Sequence, residues 1–410
     1  MSTDIGRGVK ELLEAHGKPE REVYLDGENS VKVYKKVVEE MLPYFNEKAY
    51  GNPSITHKVG WESYEAFRDA ASYIADKIGS ENPQNLIFTH SGTEANNLAI
   101  KGFALANRKK GNKIVISDVE HLSIVFPAES LEKEGFEVVK IPVDREGFID
   151  LEALETSVDK DTLLVSIIWV NHEIGTIEPM KEIARIAKEK NPNVIIHTDA
   201  ADAFGKIPIN VKDVGIDMMT LSSQKIGGPK GVGALYVRQG IKLASLIQGQ
   251  VSIERIWPGV ENMPLIMGFY AASKITFENF DENIRYLKKL RDKLIDGILD
   301  NVPYTLLNGP RGEKRAPDNV NISFLYCEGE ALTVEFSMNG VYVSSGSACT
   351  SRVLEPSHVL LAIGREYEEA HGSLLMKVTL EHTEEDIDYV ISVIPKAVER
   401  MRRISSIKPK

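Results

Sequence analysis

Lys225 stands in Ser222-Ser223-Gln224-Lys225-Ile226-Gly227-Gly228-Pro229, directly behind the apolar run Asp217 to Leu221. An amine held and desolvated at such a turn can form a Schiff base with a carbonyl, although a lysine met alone in a loop is usually just solvated. Its weight comes from the residues that precede it. Ser91-Gly92-Thr93-Glu94-Ala95-Asn96-Asn97 follows a short apolar run and opens a helical stretch. Unpaired N–H groups and the positive end of a helix dipole suit a phosphate there. Gly92 admits a close backbone approach, Thr93 adds a hydroxyl, and Ser222 can join them, while the segment taken alone reads more readily as a Ser N-cap. Asp199, in His197-Thr198-Asp199-Ala200, ends another apolar run. Ligands of open α/β sheets sit at such strand ends, and a carboxylate there holds a protonated ring nitrogen or merely caps a turn. His121 follows a fourth apolar run and can stack on a flat ring, although a lone histidine there is equally read as structural. Phosphate turn, imidazole, carboxylate and amine, in this order, fit pyridoxal phosphate, an electron sink while its ring nitrogen is held protonated.

A thiol completes the set. Cys349 lies among small residues in Val343-Ser344-Ser345-Gly346-Ser347-Ala348-Cys349-Thr350-Ser351-Arg352. Little nearby can bury it, and an exposed thiol is a candidate nucleophile. Cys327 follows Phe324-Leu325-Tyr326 and reads instead as a small buried hydrophobe.

These residues need a scaffold of alternating elements. Leu86–Thr89, Lys113–Ser117, Leu163–Ile168, Val194–Thr198 and Asp217–Leu221 read as strands, the central ones nearly all apolar as strands covered on both faces should be. Helices are expected through Asn96–Ile100, from His121 to Lys133, and from near Pro179 to just before Asn191-Pro192. Strand, helix, strand repeated in this way predicts an α/β domain with a mostly parallel sheet. A long helical region from Pro264 to about Leu299 leads to a different pattern. There Val320–Phe324, a helix near Glu330 to Met338, Val341–Val343 and a helix from Glu384 to about Met401 predict a smaller α+β domain. The division expected is 20–265 for the large cofactor-binding domain and 266–410 for the small domain with the cysteine loop, residues 1–19 packing with the latter.

Composition narrows the class. The chain has 410 residues, 42% hydrophobic and 27% charged, which is ordinary for a globular protein and long enough for two domains. Lys+Arg number 49 against 60 Asp+Glu, a net charge of -11, which argues against nucleic acid or an anionic membrane as the main partner. Met1 to Gly6 show no apolar signal region, and the run Thr162 to Val170 is far short of a membrane span. Two cysteines exclude a disulfide framework and a four-thiolate metal site. No metal is expected, and the reading is a cytoplasmic enzyme.

The sequence resembles the class V aminotransferase group of pyridoxal-phosphate enzymes, and within it the cysteine desulfurases. The likeness is carried by Tyr50-Gly51-Asn52-Pro53-Ser54, Ser91 to Asn97, Glu120-His121, Asn171-His172-Glu173-Ile174-Gly175-Thr176, His197 to Ala200, Gly228 to Leu235 and Ser344 to Cys349. It implies fold type I, with a mostly parallel seven-stranded sheet in the large domain. It further implies that Lys225 carries the cofactor, Asp199 pairs with the pyridine nitrogen and His121 stacks on the ring. Thr93, Gly92 and Ser222 would hold the phosphate, and Asn171 would sit near the phenolic oxygen or the substrate. Cys349 would take sulfur from L-cysteine as a persulfide, releasing L-alanine, and pass it to an acceptor or scaffold protein for iron–sulfur assembly or thiolation. The resemblance also implies a homodimer with shared sites.

Departures from the family pattern cluster around the substrate. Asp202 stands where a Gln is usual, and Gln224 where a His precedes the lysine; both remain assigned to the cofactor site. Asp26-Gly27-Glu28-Asn29-Ser30 replaces Asp-Asn-Ala-Ala-Thr, Gly259-Val260-Glu261-Asn262 replaces Gly-Thr-Glu-Asn, and Trp257 replaces an Arg. Gly372-Ser373-Leu374-Leu375 lacks the arginine that clamps the substrate α-carboxylate, and Leu cannot replace that bidentate contact. Asn29, Asn171, Lys377 and Arg352 are the candidates for holding substrate instead. The leading reading is a cysteine desulfurase; the alternatives are a related lyase or aminotransferase with another substrate, or a low-activity cofactor-binding homologue.

Overall fold

The structure is a computed structural model and describes residues 11, 17–250, 253, 256–345 and 356–405. Seven strands form the larger sheet: β1 (Leu86–Thr89), β2 (Lys113–Ser117), β3 (Glu137–Ile141), β4 (Thr162–Ser166), β5 (Ile195–Asp199), β6 (Met218–Ser222) and β7 (Gly233–Val237). Their order is β1-β7-β6-β5-β4-β2-β3. β2 to β6 run parallel, and β7 is antiparallel to both of its neighbours. The period-2 alternation of a strand sends Val115, Val165 and Met219 to one face and Ile114, Leu164 and Met218 to the other. Helices Lys58–Lys77, Met180–Lys190 and Met263–Glu278 cover the first face, and the helical stretches Gly92–Asn107 and Leu122–Glu132 the second. Both faces are thus dry, which is why the central strands lack polar alternation.

The second unit is a four-stranded antiparallel sheet of β8 (Thr305–Leu307), β9 (Asn319–Phe324), β10 (Ser344–Ser345) and β11 (Ser373–Lys377), ordered β10-β11-β9-β8. Leu374 and Met376 point into its core with Val320, Ile322 and the helix Glu384–Ile404. Leu375 and Lys377 therefore share the opposite face, toward the larger sheet.

The long helical region is two helices, Met263–Glu278 and Phe280–Asn301, parted at Asn279, whose φ of -130° and ψ of 51° are not helical. The first packs into the larger core and the second into the smaller. Val23 and Leu25, counted with the large domain in the division at 20–265, lie in the smaller core. The cause is a parallel pairing of Val23–Tyr24 with Val341–Tyr342. Of residues 1–19 most lie outside the described residues; Pro19 lies against Gly340 of the smaller unit.

Candidate active site

The carboxyl ends of β1, β2, β5 and β6 converge on one cleft edge. Asp199, the last residue of β5, is 5% exposed. Its Oδ2 accepts from Asn96 Nδ2 at 2.7 Å and its Oδ1 from the Ala201 N–H at 2.9 Å. Burial pushes its carboxyl above the usual range, against the hydrogen bonds from Ala201 and Asn96 that favour the charged form. Asn96 also donates to Ser123 Oγ at 2.7 Å, and Ser123 Oγ is 2.6 Å from His121 Nδ1. The Ser123 N–H donates to the same Nδ1 at 3.1 Å, so that nitrogen is an acceptor and the ring proton belongs on Nε2. His121 meets His172 edge-on, with centroids 5.0 Å apart. His172 is buried, which holds its imidazole well below the usual value, and its Nδ1 has no hydrogen-bond partner.

Ser91 caps the helix after β1 by accepting from the Glu94 N–H at 3.1 Å. A Cβ added to Gly92 would stand 3.4 Å from Ser222 Cβ, so the turn after β1 and the end of β6 are in near contact. Thr93 is exposed beside them. Gly92, Thr93 and Ser222 thus come together as a cradle at a helix start.

Lys225 lies on the short 3-10 turn Ser223–Ile226, closed by Gly227 at φ 76°. Its Nζ is 2.5 Å from Glu28 Oε1 and 3.0 Å from Asp202 Oδ2. Lys377 bonds both acids as well, reaching Glu28 Oε2 at 2.8 Å and Asp202 Oδ1. Burial would raise the Asp202 carboxyl, but Lys225, Lys377 and Lys206 hold it well below the usual carboxylate range. Burial would lower the Lys225 ammonium, but Asp202 and Glu28 lift it above its ordinary value.

The remaining candidates are placed unevenly. Asn171 is buried and its side chain serves its own loop, donating to Val119 O at 2.8 Å and accepting from the N–H groups of Glu173 and Ile174. At most one Nδ2 hydrogen is left for a ligand. Gln224 points its Nε2 to Asn29 O at 3.3 Å, which ties it to the N-terminal turn. Asn29 donates to Asp26 and to Ser344 Oγ. Lys377, expected as a substitute clamp, is already engaged by two carboxylates, since β11 aims it at Glu28 and Asp202. Cys349 and Arg352 lie outside the described residues. The segments flanking them end at the site: Ser344 accepts from Asn29 at 3.1 Å, and His358 Nε2 is 2.9 Å from Glu120 O. Cys327 is partly buried, which pushes its thiol up and makes it a poor nucleophile.

Sequence reasoning missed the partnership of Glu28 with Lys225 and the neighbouring pair Lys206–Asp318, at 2.6 Å. The available signal was that Glu28 and Asp202 both introduce charge where the family pattern is neutral.

The residues present fit pyridoxal phosphate. Asp199 offers spare lone pairs at a buried strand end, the Gly92 cradle faces Ser222, and a buried amine stands beside them. Residues 23–390 match the Aminotransferase class-V family model. The chain belongs to that family. It is 44% identical over 388 residues to the cysteine desulfurase IscS of Clostridium botulinum, covering 94% of this chain and 97% of the relative. It is 43% identical to IscS 1 of Archaeoglobus fulgidus over 94% of this chain and 99% of the other. Among solved structures, a NifS-like protein superposes with a TM-score of 0.86 at 33% identity, covering 93% of this chain and all of that one. A structure titled SspA in complex with cysteine gives 0.75 at 31% identity, over 87% of this chain and 98% of the other. The fold is that of the type I pyridoxal-phosphate enzymes, α/β with a mostly parallel sheet, and the family's cofactor is pyridoxal phosphate. No helix among the described residues is long and apolar enough to cross a membrane.

Proposed function

We propose that this chain is a cysteine desulfurase that takes sulfur from L-cysteine, releases L-alanine and carries the sulfur as a persulfide on Cys349. The observation that carries the reading is the convergence of two kinds of chemistry on one cleft. Asp199 and His121 are joined through Asn96 and Ser123 at the sheet edge, Lys225 follows the end of the adjacent strand, and both described ends of the Cys349 segment are tied to residues around them. Pyridoxal phosphate, when bound, withdraws electrons from the bonds at the substrate α-carbon. Asp199 keeps the ring nitrogen protonated, and Asn96 and Ala201 fix the carboxylate that does so. His121, with its hydrogen on Nε2, presents a donor to the ring region. Lys225 holds the cofactor and returns protons to the substrate carbon. The Cys349 thiolate takes the substrate sulfur, so one S–S bond forms as the C–S bond breaks.

Sequence similarity to proteins named cysteine desulfurase, and to one solved with cysteine, supports the substrate. The protein acts as a cytoplasmic homodimer that hands the persulfide sulfur to an acceptor protein. In support of the dimer, Leu42, Phe45, Tyr50 and Trp61 are each more than half exposed on one stretch of chain. A substrate other than free cysteine is favoured by one observation, that Leu375 is buried where a carboxylate clamp would stand. Cys349→Ser separates the readings. Expected is an unchanged cofactor absorption band with no persulfide formed from cysteine; sulfur appearing on Cys327 in that variant contradicts the role of Cys349.

A further inference from the structure

Glu28, Asp202, Lys225 and Lys377 form a closed ring, each lysine bonded to both acids and each acid to both lysines. Their side chains are 12%, 3%, 9% and 2% exposed. Lys206 and Asp318 extend the ring through Asp202, so three lysines balance three carboxylates in one buried cluster. Asp26, on the turn that carries Glu28, and His172, on the loop after β4, also lie in the field of Nζ.

We propose that Glu28 is a positioning residue that sets the proton state of Lys225, holding its free amine as an ammonium and taking its proton when the amine must act. This rests on the reading of Lys225 as the cofactor lysine. An amine attacks a carbonyl only when neutral, so one proton must leave Nζ. Of the two acids in contact, Asp202 is shared by three lysines, which fixes it as an anion. Glu28 is shared by two, and its Oε1 is the nearer at 2.5 Å. Transfer of the proton from Nζ to Oε1 converts an ion pair into a neutral pair and leaves the net charge of the cluster unchanged. Burial favours the neutral form of the Lys225 amine. Lys377 acts in the same direction on the amine. Its positive charge disfavours the ammonium of Lys225, and its Nζ stands 2.8 Å from Glu28 Oε2 as an ion-pair partner.

The two residues should therefore move the titration of Lys225 in opposite directions. The full chain, before cofactor is added, is treated with acetic anhydride across a pH series, and acetylation of Lys225 is followed by mass spectrometry. The rate of loading with pyridoxal phosphate is followed by absorbance in parallel. Glu28→Gln removes an anion beside the ammonium and is expected to lower the midpoint of Lys225 acetylation by about one to two pH units. Lys377→Met removes a cation and is expected to raise it. Glu28→Asp, which keeps the charge, should stay near the parent. Structural damage alone would not give shifts of opposite sign, and if one variant fails to fold the sign from the other decides. Unshifted midpoints, or shifts of the same sign, overturn the proposal. Acetylation needs no cofactor, so opposite shifts without any cofactor band would overturn the cofactor reading and not this one.

Discussion

A guanidinium at position 375 would project from the same face of β11 as Lys377, because Leu374 and Met376 fill the core on the other side. Lys377 is already paired with Glu28 and Asp202, so a substrate carboxylate finds no unclaimed cation on this strand. Leu375→Arg is expected to lower the Michaelis constant for L-cysteine roughly ten-fold or more, the worth of one charge-assisted hydrogen bond. Steady-state alanine production over a cysteine series checks it, and an unchanged constant would place the carboxylate elsewhere. Lys225→Ala should abolish the cofactor band altogether, since Lys377 and Lys206, the other two amines on these acids, are each held in ion pairs of their own. A retained band would move the cofactor lysine to Lys377.

The turn that carries Lys225 depends on Gly227. Its φ of 76° is a left-handed conformation, and an added Cβ would stand 2.4 Å from the Tyr34 ring. Gly227→Ala is expected to cost about 1–3 kcal/mol of local strain. It should reduce cofactor occupancy at fixed pyridoxal phosphate while leaving the circular dichroism of the sheet intact. At this scale much was legible in the residues. Apolar runs bounded by turns located β1, β2, β4, β5 and β6 to within two residues, because strands covered on both faces cannot carry polar positions. Glu137–Ile141 was missed because it is an edge strand with a half-exposed, mixed pattern. The helix break at Asn279 has no proline or glycine to announce it. Within the site, Asp199, His121, Gly92 and Ser222 were legible because strand ends fix where they fall. Glu28 was not, since its partnership joins residues 197 apart in sequence.

Over the whole molecule, buried ionisable groups set the response to pH. Burial raises Glu120, Glu173 and Glu178 to about 8 from 4.5. Between those values the folded state holds protons that the unfolded chain has lost, so stability falls as pH rises through that window and levels off above it. Burial lowers His197 to about 3 from 6.5, and stability from this group is lost as pH falls through that range. Glu120 accepts from Ser117 Oγ and the Ile168 N–H through one oxygen, which an amide oxygen can replace. Glu120→Gln should therefore show a smaller drop in Tm between about pH 5 and pH 8 than the parent. An equal drop would assign the slope to other groups. The proposed function requires that Lys225 and the Cys349 segment act on one substrate molecule. The direct measurement is to load the purified chain with pyridoxal phosphate, add L-cysteine without reductant, and quantify L-alanine and protein-bound sulfur in the first turnover. One alanine released for each persulfide on Cys349 is the expected result; cofactor bound with no alanine formed, or alanine formed with the sulfur elsewhere on the chain, would contradict it.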